Sequence, residues 1–262
     1  MDSNIEYLPD AEFKAMQLLQ DELKEHLNLA EFAHDTISLV LEHLPDKPIR
    51  EVPLSVRVKI NLLTRMFNDL RSASLLAQRG YALQAASLVS SICEVAYTVS
   101  TIADEEVARE WIEYGDPTRS FKDMKNMIRD ALSRVAEKEG VDDSSLAKQV
   151  DIEYKVYRQL CLVKHANPIL QSEHGFWEDD DNMGPLTGPD TCEEAVRVAW
   201  FALEHAAGFT FVALATFVQG NLSGLIPVQL WERIVEIGNR RKKLEAQAKQ
   251  RWGTEDPFPG KW

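Results

Sequence analysis

In the stretch YRQLCLVKHANP, residues 157–168, an arginine and a histidine stand seven positions apart among apolar neighbours. Such a pair has a recognisable chemistry. A fixed guanidinium stabilises developing negative charge, and an imidazole that titrates near neutral pH takes or gives a proton. A helix advances about 100° per residue, so Arg158 and His165 fall within about 20° of each other around the axis and about 10 Å apart along it. Tyr154 lies four residues before Arg158, on nearly the same line, with Leu160, Leu162 and Val163 beside this polar stripe. The same residues also have a structural use. A histidine in a helix's last turn caps carbonyls and favours the negative helix end, and an arginine in a bundle pairs with a buried acid. The sequence alone leaves both readings open.

Glu94 bears on the choice, being the only charge in the apolar run LVSSICEVAYTVSTIA. A lone carboxylate in such a helix has to be paired or protonated. Glu94 is therefore expected to support the site by meeting Arg158 or His165 across the core. His34 and His205 read as core histidines. The acids at 178–181, with His174 nearby, read as a solvated run rather than a cation site. A di-iron site needs two Glu-x-x-His motifs and the chain has one, Glu31 to His34; there is no phosphate-binding glycine loop, no nucleophile elbow and no H-E-x-x-H. No metal and no cofactor are expected.

The elements that must position these groups are helices. Apolar residues recur every three or four positions, with no strand-like alternation between hairpin turns, which predicts an all-α multi-helix bundle. A first helix carries Met16, Leu19, Leu23, Leu27, Ala30, His34, Ile37, Leu41 and Leu44 and stops before Pro45. A second follows Ser55 with Ile60, Leu63, Phe67, Leu70, Ser74 and Ala77 as its face, and Gly80 ends it. The third, about 82–103, is apolar nearly all round and belongs at the centre. Asp104 caps a short helix through Trp111 and Tyr114, and Ser120 with Asp123 starts the next as a capping box. The helix bearing Arg158 begins near Asp143 or Ser144 and must end before Pro168. A long irregular piece follows, 168–189, and then a D-x-x-E box at Asp190 and Glu193 restarts a helix. A last helix from Pro227 turns basic. The organisation expected is an N-terminal helix and linker over 1–53, a core over 54–220, and a C-terminal helix with basic tail over 221–262.

Composition narrows the function. With 42 acidic and 29 basic residues the formal charge is −13, which repels a polyanion at long range and excludes a general nucleic-acid coat protein. The one basic cluster, Arg240 to Lys243 with Lys249 and Arg251, reads as a solvated helix face. Three cysteines without C-x-x-C spacing argue against a disulfide framework, and the N-terminal residues lack a secretory signal, so the cytoplasm is expected. The uncharged stretch 206–231 is broken by Gln219, Gly220, Asn221 and Pro227, so a buried helix is expected there and no membrane partner.

Three segments together carry a resemblance: RSASLLAQRGYALQAASLVSSICE, DEEVAREWIEYG and YRQLCLVKHANP. An arginine followed by a few residues and a histidine near the end of a late helix resembles the R-x4-6-H signature of the HEPN helical-bundle fold. More narrowly, residues 55–220 are similar to a bacterial group of uncharacterised HEPN-like proteins. The chain differs from these in Gln159 after the arginine and Ser90 before the Glu. The resemblance implies metal-independent RNA cleavage by a homodimer, with two copies of Arg158 and His165 lining one cleft and Tyr154 in support. It also implies a toxin or phage-defence setting, with RNA as substrate and a protein partner or antitoxin as regulator. The other reading is a non-catalytic helical module that binds a protein through the 168–189 loop or the basic tail.

Overall fold

The protein, described from a computed structural model, is defined over residues 8–44, 46–113, 122–165, 176–179, 182–185, 188–254 and 257. Eight α-helices occur among them: α1 (Leu8–Glu42), α2 (Leu54–Gln78), α3 (Ala82–Thr101), α4 (Glu105–Glu113), α5 (Met124–Glu139), α6 (Asp143–Lys164), α7 (Glu193–Asn221) and α8 (Val228–Trp252). A 3-10 turn, Ile49–Glu51, leads into α2, and a small hairpin lies between α6 and α7. The all-α bundle expected from the apolar spacing is the architecture found.

Helix α3 buries fifteen of its twenty residues, which requires neighbours on nearly every side. It packs on α7, α2, α6 and α5. Helix α7 is its counterpart, with a continuous buried run from Phe201 to Thr210. Both are long and apolar enough to cross a membrane by length and composition, and most of each lies inside the bundle. Helices α1 and α8 pack on α7 and on each other. Leu23, Ala30 and Ile37 of α1 and Ile234 and Ile237 of α8 join one hydrophobic cluster with Val89, Ile92 and Phe217. The terminal helices are thus built into the core rather than laid over it.

Caps fix the helix ends that matter most here. Asp142 starts α6, its Oδ1 accepting from the Ser144 and Ser145 backbone N–H groups at 2.9 and 3.0 Å. Helix α5 begins at Asp123, which accepts from the Asn126 N–H; the Ser120 of the expected capping box lies outside the described residues, as does Tyr114 of the preceding helix. The α7 start also differs from expectation. Cys192 is its N-cap, and Asp190 instead turns the chain before it by accepting from the Cys192 N–H at 2.9 Å. Glu193 is thereby released to bind Arg251 and Trp252. Gly80 ends α2 at φ +86°, with the Tyr81 N–H reaching back to the Leu76 carbonyl at 2.9 Å. A Cβ there would stand 2.8 Å from the Pro189 Cβ, so glycine is needed for both conformation and space.

The segment between α6 and α7, expected to be irregular, contains an antiparallel pair, β1 (Phe176–Asp179) and β2 (Asn182–Pro185), in register from Phe176 opposite Pro185 to Asp179 opposite Asn182. Glu178 and Asp179 lie on β1, while His174 and residues 180–181 fall outside the described residues.

Candidate functional site

Helix α6 packs on α3 through the side that carries Tyr157 and Lys164, and Val150 and Leu160 are buried. A side roughly 100° further round the helix meets solvent. Arg158 and His165 are both exposed on it, and neither side chain has a hydrogen-bond or ion-pair partner among the described residues. His165 is the C-cap of α6, its backbone N–H bound to the Cys161 carbonyl at 2.9 Å. Its backbone is thus tied to the helix end while its ring is open to solvent.

Tyr154 is half-buried on the edge of this face. Its ring stacks on Tyr157 with centroids 6.2 Å apart, and the Lys125 ammonium from α5 lies 5.5 Å from its centroid. Lys125 also pairs with Asp151 at 2.8 Å. Tyr154 thereby ties α5 to α6 beside Arg158 and is packed on both sides. Lys148, Lys155, Arg158 and His165 lie on one exposed side of α6, whose one acid, Asp151, is neutralised by Lys125. On a chain of formal charge −13 this is a local cationic strip.

Glu94 does not meet Arg158 or His165. Its Oε1 receives Lys164 Nζ at 3.1 Å and the Tyr157 hydroxyl at 3.4 Å. The reason is position: Glu94 sits at the edge of the α3–α6 seam, its side chain 36% exposed, so it is solvated and needs no deep partner. Tyr157, Cys161 and Lys164, spaced i, i+4 and i+7, form the α6 face that meets it. Burial first, then the neighbouring Cys161 and acids, raises the Tyr157 phenol well above its ordinary value, keeping it a neutral donor. Burial likewise raises the Cys161 thiol, and all three cysteines are free. Arg158 is consequently not occupied by the core acid and remains available.

Lys242, Lys243, Lys249 and Arg251 of the basic C-terminal cluster are exposed, as a solvated face requires, and Arg241 departs from it. Arg241 folds inward against α7, its Nε 3.2 Å from Glu204 Oε1 and its Nη2 3.4 Å from His205 Nδ1. Burial lowers the Arg241 affinity for its proton, but Glu204 and the more distant Glu153 outweigh it and the guanidinium is held charged. Gly208 makes room for it: a Cβ there would stand 2.9 Å from the Arg241 Cδ. Arg251 fastens the end of α8 by binding Glu193 through Nε and Nη2, at 2.9 and 2.8 Å, and by pairing with Glu22 of α1.

The histidines divide similarly. Burial drives His205 well below its ordinary pKa, and the Arg241 charge adds to this, so the ring is neutral. Its Nε2 has no partner among the described residues. His34 is half-buried and stacks on Phe67 with centroids 3.8 Å apart. His26, which the leucine periodicity did not single out, is fully buried against Trp200, and both its ring nitrogens lack partners among the described residues.

Comparison of the chain with protein-family models, with curated proteins and with solved structures finds no match.

Proposed function

We propose that this chain is a HEPN-like, metal-independent endoribonuclease that acts as a homodimer, with Arg158 and His165 as its reacting groups and Tyr154 in support. One observation carries the reading: Arg158 and His165 share the outward face of α6, both exposed and unpartnered among the described residues. The cationic strip around them supplies local attraction for a phosphate chain that the rest of the molecule repels. Half-exposed Leu162 lies between Arg158 and His165 along the axis of α6, about 40° round from Arg158, and gives a second copy an apolar contact at the site.

In the assembled dimer, one His165 takes the proton of a ribose 2′-hydroxyl as that oxygen attacks the adjacent phosphorus. The P–O5′ bond breaks, and the His165 of the partner subunit, protonated, gives its proton to the leaving 5′-oxygen. The products are a 2′,3′-cyclic phosphate and a free 5′-hydroxyl, and no water is consumed in the step. The two Arg158 guanidinium groups stabilise the dianionic phosphorane. The reading includes a cytoplasmic toxin or phage-defence role with a protein antitoxin as partner.

The test is incubation of the purified chain with generic RNA in the presence of a chelator, beside R158A and H165A. Each substitution is expected to lower cleavage by at least about a hundredfold, the scale of a lost general acid–base or electrostatic contribution. Equal traces for all three proteins would leave the second reading, a non-catalytic module. That reading is favoured by the open groove between α1 and α8 lined by Phe32, Leu39, Pro227 and Leu230.

A further inference from the structure

A second concave site lies between α1 and α2, away from the α6 face, with a volume of about 560 Å³. Its size falls in the range of small-molecule pockets, roughly 300–1,000 Å³. Glu31 and Asp35, one turn apart on α1, supply two carboxylates. From α2, Arg71, Ser74 and Gln78 face the same space, one turn apart each. Leu27, Ala30 and Leu75 make its apolar part.

The charges in this cleft are not used up by the protein. Arg71 forms no ion pair with Glu31 or Asp35, although all three line the same cavity, and the Glu31, Arg71 and Gln78 side chains have no hydrogen-bond partner among the described residues. Several surface cations elsewhere do pair: Arg240 with Glu236, Arg251 with Glu22 and Glu193, Lys249 with Glu245. His34, between the two acids and the core, is fixed by Phe67 beneath it and by Asp35, whose Oδ1 lies 3.6 Å from Nδ1. Its Nε2 is buried without a partner among the described residues. An orphaned buried nitrogen costs about 1–3 kcal/mol, and such unmet groups collect where a structure serves binding more than stability.

We propose that this cleft binds a small amino-acid-like zwitterion, with its carboxylate on Arg71, its ammonium between Glu31 and Asp35, and its methylenes on Leu27, Ala30 and Leu75. Opposite charges that face one cavity without touching leave a gap that a ligand with both charges bridges. An anion alone would meet two carboxylates, and a cation alone would leave the guanidinium unmatched. Gln78, with a donor and an acceptor free, completes the polar rim. The site shares no residue with the α6 face, so it stands or falls separately from the nuclease reading.

The test is calorimetric titration and thermal unfolding of the full chain with glycine, γ-aminobutyrate, L-lysine and 6-aminohexanoate, against hexanoate and hexylamine as single-charge controls. At about ten times its dissociation constant a bound zwitterion raises the unfolding midpoint by roughly 3–5 °C. R71A and the double variant E31Q/D35N are each expected to weaken binding at least about tenfold, the scale of one lost charge-assisted contact. Arg71 and Glu31 are surface residues, and the unliganded midpoint of each variant verifies its fold. Three results would overturn the proposal: no response to any zwitterion up to about 10 mM, an equal response to hexylamine or hexanoate, or undiminished binding by both variants.

Discussion

Replacing Arg241 by alanine should be among the most damaging single changes in this protein, although the residue belongs to a run that looks like a solvated basic face. Glu204 is 2% exposed, and Arg241 is its ion-pair partner, with His205 alongside. Removing the guanidinium takes the ion-pair partner away from a carboxylate buried in the core, which costs about 3–5 kcal/mol. For a chain of this size that corresponds to a fall in the unfolding midpoint of roughly 6–20 °C. Calorimetry at pH 7 measures it directly. Two companions make the reasoning specific. The double replacement R241M/E204L removes both charges at similar volume and should recover most of the loss. G208A should change sign with background: in the wild type its Cβ would press on the Arg241 Cδ at 2.9 Å, whereas in the R241A background the clash is gone and better helix propensity stabilises by up to about 1 kcal/mol. A loss below about 1 kcal/mol for R241A, the size of an exposed surface pair, would refute the buried-pair account.

Other outcomes follow from the same geometry. Burial lowers the His26 pKa from 6.5 to about 3, so the folded state resists a proton that the unfolded state takes up; stability is complete above pH 6.5 and is lost as pH falls toward 3. H26L should flatten that part of the stability–pH curve measured by denaturant unfolding, and an unchanged acid slope would contradict it. E94Q should lower stability by no more than about 1 kcal/mol, because the Glu94 and Lys164 side chains are each more than a third exposed; a urea-midpoint loss above about 2 kcal/mol would show the seam to be drier than described. R251A should loosen the end of α8 selectively, so that amide exchange rises over 245–252 while α3 is unaffected; uniform exchange across the chain would count against a local clasp.

Helices were legible wherever period and punctuation agreed. The Asp142 region, Gly80 and Pro227 marked ends that the backbone keeps, since each residue type satisfies a specific need at a helix terminus. Which side of a helix faces inward was less legible. On α1 the leucines suggested a stripe through Leu27 and Leu41, yet Ala15, His26, Ala33, Thr36 and Val40 are buried, because α2, α7 and α8 press on it together and small residues admit them. A histidine and a threonine at the centre of that face carry no apolar signal. The candidate site divides the same way. The shared face of Arg158 and His165 follows from helical spacing alone. The partner of Glu94 depended on how α3 lies across α6, a long-range fact, although the Tyr157, Cys161 and Lys164 spacing already marked the face that meets it. The burial of Arg241 was hidden by its basic neighbours, and the mark it left was Gly208, a glycine inside an otherwise strong helix.

The account depends on a 2′-hydroxyl being activated by His165 beside Arg158, and one measurement reaches that step most directly. An RNA oligonucleotide and its fully 2′-O-methylated counterpart are incubated with the wild-type chain and with H165A, under chelator, and the product ends are identified by mass. The account predicts that only the unmodified RNA is cut, only by the wild type, and that each upstream fragment ends in a cyclic phosphate. Cleavage of the methylated strand, or full activity in H165A, would contradict it.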